Sequence, residues 1–467
     1  MAREIIVHDM ADQKNNPQNI IIGGSLGGAI DCVTRGDLEA LNILNGQYFL
    51  WGGQKDSVRL ARNSSVPFRY LVVDGNWQSH VFISNRMDDI ITAARAEGLK
   101  GFDVTYTRMV PAHTLVEILF NENGYHKTAQ KRYITPIAQP SDISAIGKAY
   151  VEAVYRAVKG FVEQMHEGEV LGVPMSGGAD SGMVYTLANL AYKELGKDPA
   201  LLKAYTMKIG EGGTDLKQAQ ELVKSLAKQG FRTRGQLSIV EVEPNSLPSL
   251  GKVVSVIEDY KTNHDLQDAT VAYGLWEKLR QMEPKLRYVI SGQGGDEIWQ
   301  DYHIDELEKV TFADVLKNPA LFVEGRYDNP SLINPMYSGG LGRRIVRDKN
   351  TAAVFGFIGF DPILTTDAVR IAYGVDKGEI ASTPEQLYGI KIQVTNSGIK
   401  QLGIDYVFPS KTRFQVGASD KGTFKEKLSV ISEEAARKIF QEIAIKKMNE
   451  PIRGKPLQKQ VITKWKI

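Results

Sequence analysis

Val173-Pro174-Met175-Ser176-Gly177-Gly178-Ala179-Asp180-Ser181 reads as a short buried strand, a tight glycine turn and the entry to an apolar helix from Met183 to Tyr192. At the carboxyl edge of a parallel sheet, such a turn aims backbone N–H groups at phosphate. Met175, Ser176, Gly177, Gly178 and Ser181 are therefore candidate nucleotide-binding residues. The carboxylate of Asp180 cannot donate to a phosphate, so it points to a metal ion that bridges phosphates. The competing explanation is a βα turn whose glycines serve geometry alone.

The surrounding chain alternates as a parallel α/β sheet requires. An amphipathic helix, capped by Ser141, is expected to run to His166 with Ile146, Tyr150, Val151, Val154 and Val158 on one face. Strands follow at 204–209, 236–242 and 288–290, with helices at 215–228 and about 268–283. Beyond Asp301 the pattern reads as mostly helical. Residues 1–140 have a different rhythm, with short strands at 4–7 and 19–22, a hairpin from Tyr48 to Ala61, a second pair at 68–73 and 79–83, and a short helix at 87–97. That half reads as a layered, sheet-rich domain, with 141–467 as the second domain.

Bulk properties exclude several classes. Hydrophobic residues at 42% and charged residues at 24% are those of an ordinary globular protein, and a net charge of +2 makes no case for nucleic acid. A basic excess from Lys446 to Lys466 either steers an anionic substrate or carrier, or is simply solvated. Cys32 is the single cysteine, so no intrachain disulfide forms. With no signal-like apolar run after Met1 and no apolar stretch of about 18 residues, a soluble cytoplasmic protein is expected, without a membrane partner.

Arg287-Tyr288-Val289-Ile290-Ser291-Gly292-Gln293-Gly294-Gly295-Asp296-Glu297 repeats the arrangement of the first loop. A β-branched strand enters a Ser/Gly turn, and acidic residues open the next helix. Ligands of parallel sheets gather beyond the strands' carboxyl ends, so both loops are positioned to share one Mg-pyrophosphate, with Ser291 and Gly292 on the nucleotide and Asp180 and Asp296 on the metal. Asp296 as a plain helix cap is the alternative. The S-G-G-x-D-S spacing belongs to loops that cleave ATP between its α and β phosphates, and no G-x-x-x-x-G-K-[ST] loop of γ-phosphate chemistry occurs. Near the C-terminus, Lys411-Thr412-Arg413-Phe414-Gln415 offers a fixed positive charge, or an ordinary surface lysine.

Together these segments resemble the asparagine synthetase family, which includes β-lactam synthetase, carbapenam synthetase and the lasso-peptide cyclases. Ser176 to Ser181 is similar to the family's first ATP loop, Ser291 to Glu297 to S-G-E-G-S-D-E, and Lys411 to Phe414 to K-x-x-F. Thr206-Met207 matches the strand that contacts adenine, and Asp215 to Gln220 the helix after it. In the first half, Leu44 to Phe49 resembles L-N-G-x-F-A, and Leu60 to Asn63 resembles L-A-R-D. The resemblance implies an N-terminal-nucleophile-type, glutaminase-like layered domain at 1–140. An adenine-nucleotide α-hydrolase-like synthetase domain with a helical C-terminal part is implied at 141–467. ATP and Mg2+ are the implied cofactors, and the implied chemistry is adenylation of a small-molecule or peptide carboxylate followed by amide formation with an amine.

Two departures bear on subtype. Glutamine-hydrolysing members need a cysteine directly after the initiator methionine, where Ala2 stands here, so a vestigial N-terminal domain and no glutamine hydrolysis are expected, as in β-lactam synthetase-like enzymes. Gln293 stands where asparagine synthetase has glutamate, and an amide orients a substrate but cannot act as a base. β-Lactam synthetase-like members use a tyrosine with a later glutamate; Glu324 or Glu258, assisted by Tyr260 or Tyr327, are the candidates for that task here. Lys411, Gln293, Glu324 and Tyr260 thus form the expected catalytic set. The alternatives are an ammonia-dependent amidotransferase and a non-catalytic ATP-binding or peptide-recognition protein. A natural-product ligase and a homo-oligomer are compatible with either enzymatic reading.

Overall fold

In the computed structural model, the described residues are 2–75, 78–99, 106–258, 263–302, 310–324, 342–409 and 417–419, positions 438, 439, 442 and 446, and the strand 459–466. Tyr260, Tyr327 and Lys411 lie outside them.

The first half stacks helix, sheet, sheet and helix. One sheet has the order Lys459–Lys466, Ala2–Asp9, Gln78–Ser84, Arg69–Val73, Arg108–Met109. The other is antiparallel, in the order His126–Arg132, Thr114–Phe120, Ser57–Arg62, Phe49–Gln54. Alternation along each strand sends Ile5, Val7, Val81 and Ile83 of one sheet against Phe49, Trp51, Val58 and Val116 of the other. The reverse faces are covered by helices. Leu26–Arg35 packs Ala29 and Val33 over Leu50 and Ala61, while Met87–Ala96 packs Ile90, Ala93 and Ala94 over Leu71 and Phe82. The tail strand Lys459–Lys466 pairs antiparallel with Ala2–Asp9, so part of the basic tail belongs to this sheet.

The expected hairpin and the pair at 68–83 form in register. The helix Leu26–Arg35 was not anticipated, because Gly27-Gly28 reads as a breaker; Ser25 caps it by accepting from the Gly28 N–H. In the second half the long helix runs Ile143–Gln164, and its cap is Asp142, which accepts from Ser144 and Ala145, in place of Ser141. The Ser141 hydroxyl reaches Glu379 instead.

The second half is built on a five-stranded, wholly parallel sheet, in the order Leu237–Val242, Leu202–Ile209, Leu171–Pro174, Tyr288–Ile290, Ile358–Phe360. The chain moves outward from Leu171–Pro174 for two strands, then returns to its other side. That reversal places the topological switch between Leu171–Pro174 and Tyr288–Ile290, the position at which ligands of such sheets bind. Both glycine loops leave the sheet there. The edge strand Ile358–Phe360 interrupts a region expected to be helical.

Candidate functional site

The first loop is held by its own hydroxyls. The Ser176 N–H donates to Ser181 Oγ at 3.1 Å, the two serine hydroxyls are 3.0 Å apart, and the Gly178 N–H donates to Ser176 Oγ at 3.3 Å. Thr206 Oγ1 donates to the Met175 carbonyl at 2.7 Å and locks the strand end against the neighbouring strand that carries Met207. Gly177 has φ +81°, and a Cβ there would lie 2.5 Å from Ala219 N, so only glycine fits beneath the helix Asp215–Lys228. The helix Ala179–Glu194 starts at Gly178 without a side-chain cap, and a helix start of that kind favours an anion.

The second loop lies directly on the first. A Cβ at Gly292 would sit 2.5 Å from Ser181 N, and one at Gly295 would sit 2.2 Å from Asp180 Oδ1. Ser291 Oγ donates to Asp361 Oδ1 at 2.6 Å and accepts from the Gln293 N–H at 3.3 Å. Asp296 is in the first turn of Gly295–Trp299, whose cap position is Gly294, so Asp296 is not the cap.

The two aspartates meet on a lysine that sequence reasoning missed. Lys391 Nζ donates to Asp180 Oδ2 at 2.6 Å, to Asp296 Oδ1, and lies 3.1 Å from Asp301 Oδ2. It is 3% exposed. Burial opposes its charge, but Asp180, Asp296 and Asp301 outweigh burial and hold the ammonium well above its usual range. Lys391 arrives on the helix Ile390–Gln401, which crosses Ile143–Gln164 so closely that a Cβ at Gly398 would lie 2.2 Å from the Gly147 carbonyl oxygen. A signal was available: Lys391, Val394, Thr395 and Gly398 share one stripe at i, i+3, i+4 and i+7, and all are buried. A lysine on a core stripe requires an acidic partner.

Asp180, Asp296 and Asp301 thus converge on one buried ammonium. Their hard oxygen donors suit Mg2+. Below them, burial pushes Lys377 down to about 7, against the opposing charge of Asp301. At the rim, burial raises Asp215 to about 7; a Cβ at Gly417 would lie 2.0 Å from its Oδ1. The bridge from Ile209 to Ser419 seats that segment at the end of the strand Leu202–Ile209.

The other expected carboxylates are elsewhere. Both oxygens of Glu324 are engaged, with His113 Nδ1 at 3.0 Å and Arg132 Nε at 3.1 Å, in the seam between the halves. Glu258 accepts from the Met87 and Asp88 N–H groups at 2.9 and 3.2 Å and pairs with Arg86 at 3.1 Å, so it caps a helix of the first half. Neither is in contact with the loops through these bonds. Gln293 is in the second loop, half-buried.

Residues 150–353 match the asparagine synthase family. That stretch of the chain is similar to asparagine synthase domains. The match spans both loops, and stops short of Lys391 and Lys411 and of the first half. No curated protein matches the chain. Similarity to that family suggests ATP-dependent carbon–nitrogen ligase chemistry. Among the described residues, no helix is long and apolar enough to cross a membrane.

Proposed function

We propose that the protein uses ATP to adenylate a substrate carboxylate and passes the acyl group to an amine of the same or a second molecule. The observation that carries this is the closure of the two loops on each other, which sets Asp180 and Asp296 around one cation at the switch point of the sheet. In the first step a carboxylate oxygen attacks the α-phosphorus, the bond to the bridging oxygen of the β-phosphate breaks, and pyrophosphate leaves. In the second step an amine attacks the acyl carbon, the bond to AMP oxygen breaks, and the amine loses a proton. Activation is needed because oxide is a poor leaving group and AMP a good one.

Ser176, Gly177, Gly178 and Ser181, with Ser291 and Gly292, form the phosphate cradle in this reading, and Met175 and Met207 flank the adenine. Asp180 and Asp296 would hold Mg2+, which when bound neutralises pyrophosphate charge. Lys391 supplies a fixed positive charge beside them, and Lys411 a second one toward the acyl phosphate. Gln293 orients the substrate. The proton acceptor is not assigned to Glu324 or Glu258, whose oxygens serve the seam.

Glutamine hydrolysis is left out of this reading. Ala2 carries no nucleophile and lies in a paired strand. The single thiol, Cys32, is inside the helix Leu26–Arg35, packed against an apolar cluster with no terminal amine to activate it. These features argue against a glutamine-fed subtype, and Gln293 in place of a glutamate argues against an ammonia-fed one.

The test is a pyrophosphate-exchange screen across carboxylates, followed by identification of the nucleotide product. AMP and pyrophosphate are expected, lost in Asp180→Ala and Asp296→Ala with the fold retained. Formation of ADP without AMP refutes the reading.

A further inference from the structure

The first half holds a cluster of donors that the ligase chemistry does not use. In the parallel pairing of Ala2–Asp9 with Gln78–Ser84, Ile6 is opposite His80 and His8 is opposite Phe82. Residues two apart share a face, so His8, His80 and Phe82 all project toward the helix Met87–Ala96 while Ile5, Val7 and Val81 fill the inter-sheet core. His8 lies flat on Phe82, with centroids 4.3 Å apart and planes 12° apart. His8 Nε2 and His80 Nδ1 are 2.9 Å apart, with ring centroids 5.2 Å apart and planes 17° apart, so the imidazoles meet nearly edge to edge. Glu97, the residue that closes the helix, brings a carboxylate oxygen to the same place. The three donor atoms lie within 4.8 Å of one another.

We propose that His8, His80 and Glu97 bind a zinc-class divalent ion, with water in the fourth position, and that this ion fastens the end of the helix Met87–Ala96 to the sheet. Two imidazoles and one carboxylate are donors of intermediate softness, a set that suits Zn2+ or Co2+ and not Mg2+ or Ca2+. Tetrahedral ligands on zinc–nitrogen bonds of about 2.0–2.1 Å are separated by ~3.3 Å, so the imidazole nitrogens, which now face each other head-on, must part by a few tenths of an ångström and the half-buried His80 ring must turn so that both lone pairs converge on the ion. His8 is fully buried and fixed by its stacking, which preorganises one ligand. His80 and Glu97 are half-buried, which leaves a solvent path for the ion and the water. In the metal-free protein the two nitrogens share one hydrogen bond; on binding, the imidazole that donates it moves that proton to its other ring nitrogen, and both freed lone pairs turn to the ion, which lies to one side of the line between them. No electron transfer or other co-reactant is required. The site is separate from the Asp180–Asp296 pair, whose oxygen donors select the harder ion.

The test uses the full chain, freed of any affinity tag and of metal, and titrated with Co2+. The expected result is one equivalent bound with the visible absorption of a tetrahedral, nitrogen-ligated ion, displaced by Zn2+. His80→Gln should abolish the absorption, and Glu97→Gln should weaken binding, with unchanged circular dichroism. Asp296→Asn should leave the absorption intact. Should His80→Gln misfold, the half-buried Glu97→Gln variant decides. No absorption in the wild type, absorption undiminished in both variants, or its loss in Asp296→Asn overturns the proposal.

Discussion

Replacing Lys391 by methionine is the most direct probe of the two loops. Methionine preserves most of the length and apolar bulk of the side chain but removes the ammonium from Asp180, Asp296 and Asp301, which lie at 2.6 Å, in hydrogen-bond contact and at 3.1 Å respectively. One such attraction at 4 Å is worth about 4 kcal/mol in an effective dielectric of about 20. Much of that gain is offset by the burial of the charges themselves, since Lys391 and Asp301 are 3% and 5% exposed. What remains is the penalty for removing one partner from a buried charged cluster, about 3–5 kcal/mol. Urea denaturation of wild type and Lys391→Met, each with and without Mg2+, measures it. The variant should lose roughly that much stability in chelator and regain a large part of it in Mg2+, because the ion can stand between the same carboxylates. The wild type should respond far less. A variant as stable as the wild type, or one indifferent to Mg2+, would show that the three carboxylates do not share a cation there.

Asp215 is raised from 3.8 to about 7 by burial, so the native carboxyl binds a proton to higher pH than the unfolded one. Stability must therefore fall as pH climbs from about 4 to about 7, by up to about 4 kcal/mol. Asp215→Asn should gain on the wild type at pH 8 and not at pH 4, and equal gaps at both would contradict the burial argument. Gly295→Ala forces a Cβ against Asp180 Oδ1, at 2.2 Å if nothing moves, and should lower pyrophosphate exchange by about a hundredfold with an unchanged melting curve. Lys349→Met deprives buried Asp361 of its ion-pair partner at 2.9 Å and should cost about 3–5 kcal/mol in urea denaturation. Adding Asp361→Asn should recover part of that loss, and no recovery would mean that the pair is not the cause.

The parallel sheet was legible because its strands are β-branched, bounded by glycine and separated by helices of ordinary length. The two loops were legible because serine and glycine in fixed order mark tight turns at the ends of strands. Elements that depend on distant partners were not. Ile358–Phe360 is three residues long, too short for any period, and exists because Tyr288–Ile290 offers an unpaired edge. Lys459–Lys466 contains Val461, Ile462, Thr463 and Trp465, a strand composition that its lysines obscured. Glu324 and Glu258 were chosen as bases by their distance along the chain, and chain distance says nothing of the arginines from the first half that meet them. Lys391 is the instructive omission, because its position on a buried stripe was visible and the pairing rule for buried lysines already known.

The seam also gives the first half a physical task without any nucleophile. Ser291 of the second loop donates to Asp361, Asp361 pairs with Lys349, Lys349 donates to Gln47 Oε1 at 3.1 Å, and Gln47 Nε2 donates to the Gly359 carbonyl at 2.8 Å and the Gln18 carbonyl at 3.1 Å. Every side chain in this chain of contacts is buried. A buried network of this kind is favourable only when its members are satisfied together, because each abandoned group costs its full desolvation. Gln47 belongs to the first half and Ser291 to the second glycine loop, so the orientation of that loop depends on the layered half being in place. The layered half thus acts as a scaffold, fixing the loop that carries Asp296 against the one that carries Asp180.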